Sequence, residues 1–290
     1  MKLPHIFFSF ACLCIALVSC SEKDEPEPLV YMMPSSILSD NANGASQTFS
    51  YDSYGRIISW KQKYDDHVVT ATFSYPDNNT IVVKSTETIL GQERTFNEII
   101  TLDKGRAAKA EGTFINDFKN GASPMHKTYR LEFDYDNFTG HLTEVKHSEV
   151  VGIGEDVTDA SWEKAWTWSD YLYWEDGNLK EYQIFQGHSS VQQTIQYDYS
   201  IYGVFYPVII PPVINSYHHL PLFMQGVFGL NSNNFVSRAS YLDAAGNITR
   251  SCDYSYEFEN GYVKTYTETF CNGEAISSPI TYDVTWTAKP

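Results

Sequence analysis

Few side chains of this chain could do chemistry, and their spacing speaks against most of them. His218 and His219 are neighbours, and adjacent side chains on a helix or a strand point in different directions. With no His-Glu-x-x-His anywhere, the pair is expected on an exposed, proline-flanked loop, and neither a metal nor a cofactor is predicted. Ser189 and Ser190 follow Gly187 and His188, but a nucleophile elbow needs glycine on both sides of its serine. Gly152 and Gly154 form a lone Gly-x-Gly, which without a third glycine and a following helix reads as a turn. Paired carboxylates could cleave a glycosidic bond. The acids that can be placed, however, sit at hairpin tips or alternate with apolar residues on wet faces, so no catalytic residue is assigned. The aromatic residues stand out more. Trp162, Trp166, Trp168, Tyr171, Tyr173 and Trp174 crowd one region, and the four tryptophans share parity, so one continuous strand would present them on one face. Such a face could stack on a sugar or grip a protein; a core stripe is the plainer reading.

The chain opens with Met1, Lys2 and Leu3, an apolar run from Ile6 to Val18, then Ser19 and Cys20, the layout of a secretory signal. The run is too short for a permanent membrane helix. Leu17, Val18, Ser19 and Cys20 resemble the bacterial lipobox, which implies cleavage before Cys20 and lipid attachment to it. Residues 1–19 are therefore read as a signal peptide and 20–45 as a lipidated, flexible tether. Its first residues, Ser21 to Pro28, are charged and proline-rich with nothing to bury. Lys23, Asp24 and Glu25 behind the anchor resemble the acidic export signal of Bacteroidetes surface lipoproteins, which implies display outside the outer membrane.

The formal net charge of −16 repels phosphate backbones, and no Lys/Arg run occurs, so nucleic acid is excluded as a partner. Three of the five cysteines belong to signal and anchor, leaving Cys252 and Cys271. An oxidising compartment would let them pair. Register decides: a three-residue turn at Glu259, Asn260 and Gly261 sets Cys271 on the opposite face from Cys252, whereas a two-residue turn or a bulge reverses that.

From about Gln47 the apolar pattern has period two. Val69, Ala71, Phe73 and Tyr75 alternate with Thr70, Thr72 and Ser74, and Tyr129, Leu131, Phe133 and Tyr135 with Arg130, Glu132 and Asp134. This predicts strands with one dry face and one wet face. A turn signature recurs: an aromatic or Leu, an acid, one to three residues, Gly, any residue, an aliphatic. It reads Tyr51–Asp52–Gly55–Ile57, Leu102–Asp103–Gly105–Ala107, Tyr135–Asp136–Gly140–Leu142, Trp174–Glu175–Gly177–Leu179, Leu242–Asp243–Gly246–Ile248 and Phe258–Glu259–Gly261–Val263. An acid capping turn amides and a glycine at positive φ make a hairpin tip. The prediction is a single all-β domain over 46–290. Its long antiparallel meander is curled into a barrel or half-barrel. The exception is 202–230, apolar and interrupted by Pro207, Pro211, Pro212 and Pro221, expected as a crossover with a short helix over an end of the sheet.

The lipobox, the acidic tether, the tyrosine-rich hairpins and the crossover ending in Gly229, Leu230 and Asn231 resemble the Bacteroidetes lipoproteins grouped as DUF4595. The resemblance implies a porin-like fold and brings no activity and no catalytic residues. A membrane-spanning barrel is not expected, because alternate faces are polar and the end Trp286–Pro290 lacks a terminal aromatic. The functional expectation is a non-enzymatic surface module, membrane-bound through its lipid alone, that binds a glycan or a protein. The alternative is a hydrolase of an extracellular polysaccharide or protein. Replacing Cys20 by Ala is expected to move the protein out of the membrane fraction; retention there would refute the lipid anchor.

Overall fold

The computed structural model describes residues 32–41, 44–118, 124–151, 162–202, 217–273 and 275–288. Cys20, Lys23, Asp24 and Glu25 lie outside the described residues, as do Gly152, Gly154 and the prolines Pro207, Pro211 and Pro212. The strands, in order, are β1 (Met32–Ser39), β2 (Ser46–Tyr51), β3 (Ile57–Tyr64), β4 (His67–Asp77), β5 (Thr80–Ile89), β6 (Gln92–Asp103), β7 (Arg106–Asp117), β8 (Met125–Tyr135) and β9 (Leu142–Val151). They continue as β10 (Trp166–Glu175), β11 (Asn178–Ile184), β12 (Gln193–Tyr202), β13 (Asn234–Asp243), β14 (Ile248–Glu259), β15 (Tyr262–Asn272), β16 (Ala275–Ile276) and β17 (Ile280–Ala288). Each strand pairs antiparallel with its sequence neighbour, save that the two-residue β16 only flanks β15 while β15 pairs with β17. Strand β1 pairs with both β2 and β17, which closes a barrel of 16 strands. The meander is therefore a closed barrel.

The barrel begins before the predicted domain start. Residues 32–39, expected within the tether, are a wall strand in which Met33 and Ile37 are buried. A register shift between Pro34 and Ser36 breaks the period-two pattern there, which is why the strand reads as tether.

Alternation places the dry face inside. Val69, Ala71, Phe73, Ile81, Val83, Tyr129, Leu131 and Phe133 are buried in one core. Their alternates Thr72, Ser74, Lys84, Thr86, Glu132 and Asp134 are exposed on the outer wall. Large exposed apolar residues such as Ile99 and Val151 are separated by exposed Thr, Lys and Glu among the described residues, without the continuous outer band that a lipid-spanning barrel requires.

The hairpins turn alternately at the two ends of the barrel. Five of the six signature turns (Asp52, Asp103, Asp136, Glu175, Glu259) lie at one end, as does the β12–β13 connection. Asp52 and Asp136 accept from the amides of Tyr54 and Arg56, and of Phe138 and Thr139. The turns Lys104–Gly105, Asp176–Gly177 and Asn260–Gly261 have both central residues at positive φ, the geometry that matches strand twist. The connection returns as a 3₁₀ turn (Tyr217–His219) and a short helix (Leu220–Met224), begun by Pro221 and ended before Gly226 at φ 73°. This segment enters the lumen as a plug, burying His218, His219, Leu222 and Phe228. It is stitched to the turns around it. Gln225 Nε2 donates to the Gly55 carbonyl and its Oε1 accepts from the Ile57 amide. The Ala107 amide donates to the Val227 carbonyl and the Asn233 amide to the Gly177 carbonyl. Gly229, at φ 95°, must be glycine because a Cβ would meet the Gly140 carbonyl at 2.8 Å.

The signature has a further role at this end. Its buried aliphatic presents a carbonyl that accepts from an aromatic of a nearby strand. Tyr75 Oη donates to Ile57 O at 2.8 Å, Tyr135 Oη to Ala107 O at 2.7 Å and Trp174 Nε1 to Leu142 O at 2.7 Å. Likewise Tyr199 Oη donates to Leu179 O at 2.6 Å and Trp286 Nε1 to Val263 O at 2.7 Å. Aromatic bodies fill the lumen while their polar tips lock neighbouring hairpins.

Cys252 and Cys271 do not pair; both are free thiols. Glu259 pairs with Tyr262 across a two-residue turn, which alone would bring them to one face. A bulge between Glu257 and Phe258 shifts the register back, so Cys271 faces Ser251 and Cys252 faces Phe270. Burial pushes the Cys252 thiol up to about 12. Tyr135→Phe, which removes one of the ring-to-carbonyl bonds, is expected to lower stability by about 1–2 kcal/mol in urea unfolding; an unchanged midpoint would show that these bonds contribute nothing.

Candidate functional site

With the plug entering from one end, the lumen near the other end keeps a half-open cavity of about 370 Å³. Its walls come from the cavity-end halves of six neighbouring hairpin strands and β10: Val69 on β4, Ser85 and Glu87 on β5, Arg94 and Phe96 on β6, Phe114 and Asn116 on β7, Lys127 and Tyr129 on β8, His147 and Glu149 on β9, and Trp168. His218 of the plug reaches it from below.

The charges compensate one another. Glu87 accepts from Arg94 at 3.2 Å and lies 2.7 Å from His67 Nε2, while Lys127 donates to Glu149 at 2.7 Å. The remaining polar atoms are not all served. Ser85 Oγ, Arg94 Nε, Asn116 Oδ1, Trp168 Nε1 and His218 Nε2 are buried without a hydrogen-bond partner among the described residues. Leaving such groups unmet costs about 1–3 kcal/mol each, so the wall offers both donors and acceptors. Phe96 and Phe114 lie 4.9 Å apart, and Trp168 stacks on His147 at 4.7 Å and 7°.

Beneath the cavity lies a buried polar cluster. Glu98 Oε1 accepts from His219 Nε2 at 2.6 Å and lies 3.8 Å from His218 Nε2, while Tyr129 Oη donates to Glu98 Oε2 at 2.7 Å. Burial alone would push the Glu98 carboxyl up; the two histidines outweigh it and hold Glu98 below the usual carboxylate range, an anion inside the barrel. Burial, aided by His219, pushes the His218 imidazole down, and burial with Glu98 pushes the Tyr129 phenol up. The Tyr129 ring fits because its cross-strand neighbour is Gly112, where a Cβ would meet that ring at 2.7 Å. A second buried acid, Asp170, accepts from Tyr182 Oη at 3.1 Å and the Phe185 amide at 2.8 Å. His147 Nε2 lies 3.1 Å from Asp170 without the alignment of a hydrogen bond.

Several expectations change here. His218 and His219 are each 1% exposed and not on a surface loop, and both point at one carboxylate oxygen. A 3₁₀ turn inside a lumen surrounds its side chains with walls, so adjacent residues can reach one spot. Glu87, Glu98 and Asp170 are buried acids and do not belong to wet faces. Their parity carried the signal: Glu98 is in phase with Phe96 and Ile100, Glu87 with Ile81 and Val83, and Asp170 with Trp168 and Leu172.

The tryptophans do not form one platform. Trp166 and Trp168 meet edge to face at 5.8 Å at the cavity end, with Trp166 54% exposed. Trp174 sits at the plug end, stacked on His141 at 4.1 Å. Trp162 lies under the Arg130 guanidinium at 4.5 Å on the outer wall.

A second hollow of about 450 Å³ opens at the same end, lined by Tyr64, Glu268, Phe270, Ile280 and Tyr282 among others. Tyr282 donates to Glu268 at 3.0 Å.

With this geometry in place, the chain can be set beside known proteins. No protein-family model matches it, and no curated protein sequence matches it. Among solved structures it is similar to a porin-like protein from Bacteroides uniformis, with 14% identity and a TM-score of 0.54 over 88% of this chain and 98% of that one. It is equally similar to a porin-like protein from Bacteroides vulgatus, with 15% identity and a TM-score of 0.55 over the same shares. The likeness is one of fold: a porin-like closed β-barrel.

Burial pushes the Glu268 carboxyl above its ordinary value of 4.5, against the pull of Tyr282. A folded pKa above the unfolded one adds stability that is present below pH 4.5 and lost as pH rises through the folded value. Glu268→Gln is therefore expected to be more stable than the parent at pH 7 in chemical unfolding, with the gain vanishing below about pH 4; a destabilised variant at pH 7 would contradict this.

Proposed function

We propose that the chain is an outer-membrane lipoprotein, held by lipid on Cys20 and displayed outward, whose barrel binds a neutral saccharide at the cavity end without reacting on it. One observation carries this reading: the cavity's charges are paired off, yet buried donors and acceptors remain unmet beside aromatic faces. A sugar hydroxyl both donates and accepts, and a sugar's C–H face stacks on aromatic rings, so a glycan answers both requirements. A net-charged ligand would find no excess charge to meet. A volume near 370 Å³ suits one or two sugar units, at the small end of ligand pockets. A folded protein partner could not enter it.

The hydrolase alternative needs two carboxylates flanking a scissile bond. The cavity's carboxylates, Glu87 and Glu149, are each engaged by a cation. That favours binding over cleavage.

On a glycan array the mature protein is expected to retain a defined saccharide terminus, and Trp168→Ala to weaken that binding about tenfold, the loss of roughly 1.4 kcal/mol of aromatic stacking. Hydrolysis of an array polymer, or binding that Trp168→Ala leaves unchanged, would overturn the reading.

A further inference from the structure

Glu98, His218 and His219 are the one group among the described residues in which three metal-ligating side chains converge, with their ligand atoms all within 4.8 Å of one another. All three are essentially fully buried. We propose that they form a site for a single divalent ion of the zinc type, two imidazole nitrogens and one carboxylate oxygen, with the remaining coordination position toward the cavity that His218 lines. The donor set suits such an ion: imidazole and carboxylate are ligands of borderline divalent metals, and two His with one Glu is a known three-ligand zinc combination that leaves a position open.

The spacing fits. Zinc bonds of about 2.0–2.1 Å in tetrahedral array set ligand atoms about 3.3–3.4 Å apart. The His218–Glu98 and His219–Glu98 separations, 3.8 and 2.6 Å, straddle that value, so shifts of less than about 1 Å bring both into range, and the two imidazole ligand atoms lie within 4.8 Å of each other. His218 Nε2 is buried without a partner, which a cluster built only as a hydrogen-bond network would leave unexplained. An ion gives His218 Nε2 a partner and meets the Glu98 charge. Tyr129 Oη, on the other Glu98 oxygen at 2.7 Å, already serves as the outer hydrogen bond that orients a ligating carboxylate. The ligands come from the wall strand β6 and from the plug, so the ion would also fasten the plug in the lumen.

The inference does not rest on the saccharide reading, and its test is separate from it. The full-length mature chain, purified in detergent and freed of metal by chelation and dialysis, is titrated with Zn²⁺ by calorimetry and with Co²⁺ by visible absorption, with no sugar present. Expected are one ion per chain, a Co²⁺ spectrum of four-coordinate type and a thermal midpoint raised by Zn²⁺, because an ion that binds only the folded state stabilises it. His218→Ala and Glu98→Gln are expected to abolish the spectrum and the thermal shift. Should either variant fail to fold, the parent protein's Co²⁺ spectrum decides alone. No stoichiometric uptake by the parent, an octahedral spectrum, or uptake and thermal shift retained in a folded Glu98→Gln variant would overturn the site.

Discussion

Strand β1 hydrogen-bonds to β2 on one side and to β17 on the other, and this closure commits the chain to enclosing a lumen. Eight strands make a barrel that its own side chains can fill, whereas sixteen enclose a space wide enough for an aqueous channel. Here the inward faces are apolar, so the space must be filled with protein or leave dry surface exposed. The composition answers the need: 21 Tyr, 17 Phe and 6 Trp supply the largest side chains available. Aromatics on the wall do not suffice, and the segment from His218 to Phe228 lies inside and completes the core.

Filling a wide lumen from one end leaves the two ends unlike. At the plug end, polar tips of aromatic rings donate to carbonyls of neighbouring hairpins and the plug's backbone bonds to the turns, with Gly140 and Gly177 of the turn signature leaving room for Arg106 and Asn233. At the cavity end the plug does not reach the rim, and the inward positions change character: Ser85, Glu87, Asn116, His147 and Glu149 replace the Val, Phe and Ile found deeper on the same strands. A core built for stability alone would continue the apolar series, since unmet buried polar atoms cost free energy. The departure from that series is the physical feature that singles out the candidate site.

Much of the wall was legible in the sequence. Period-two alternation on β4 and β8 and the acid–glycine turns predicted strands, facing and hairpin tips as the structure has them, because both signals are local. What escaped was non-local or broken locally. Pro34 and its bulge hid β1. The partnership of Cys252 and Cys271 hung on a single extra residue at Lys264, whose effect cancels that of the two-residue turn. Glu98 carried the right parity but the wrong chemistry for a dry face, and its partner His219 stands 121 residues away in sequence on the plug. A carboxylate in phase with Phe and Ile is a sign of a buried partner, and reading phase before polarity would have pointed to it.

The same logic separates fold from transport. A pore in a membrane needs lipid-compatible residues outside and water-compatible residues inside. Here the polarity is reversed: Lys84, Thr86 and Glu132 face outward while Val83, Ser85 and Leu131 face the lumen, and the plug blocks one end with Leu222 and Phe228 fully buried. The porin-like closure of strands here surrounds a lumen that is packed at the plug end and hollow toward the other. The unmet donors around Trp168 and the Glu98 cluster beneath them lie on that side of the plug, so the saccharide proposed above would be met within a pocket.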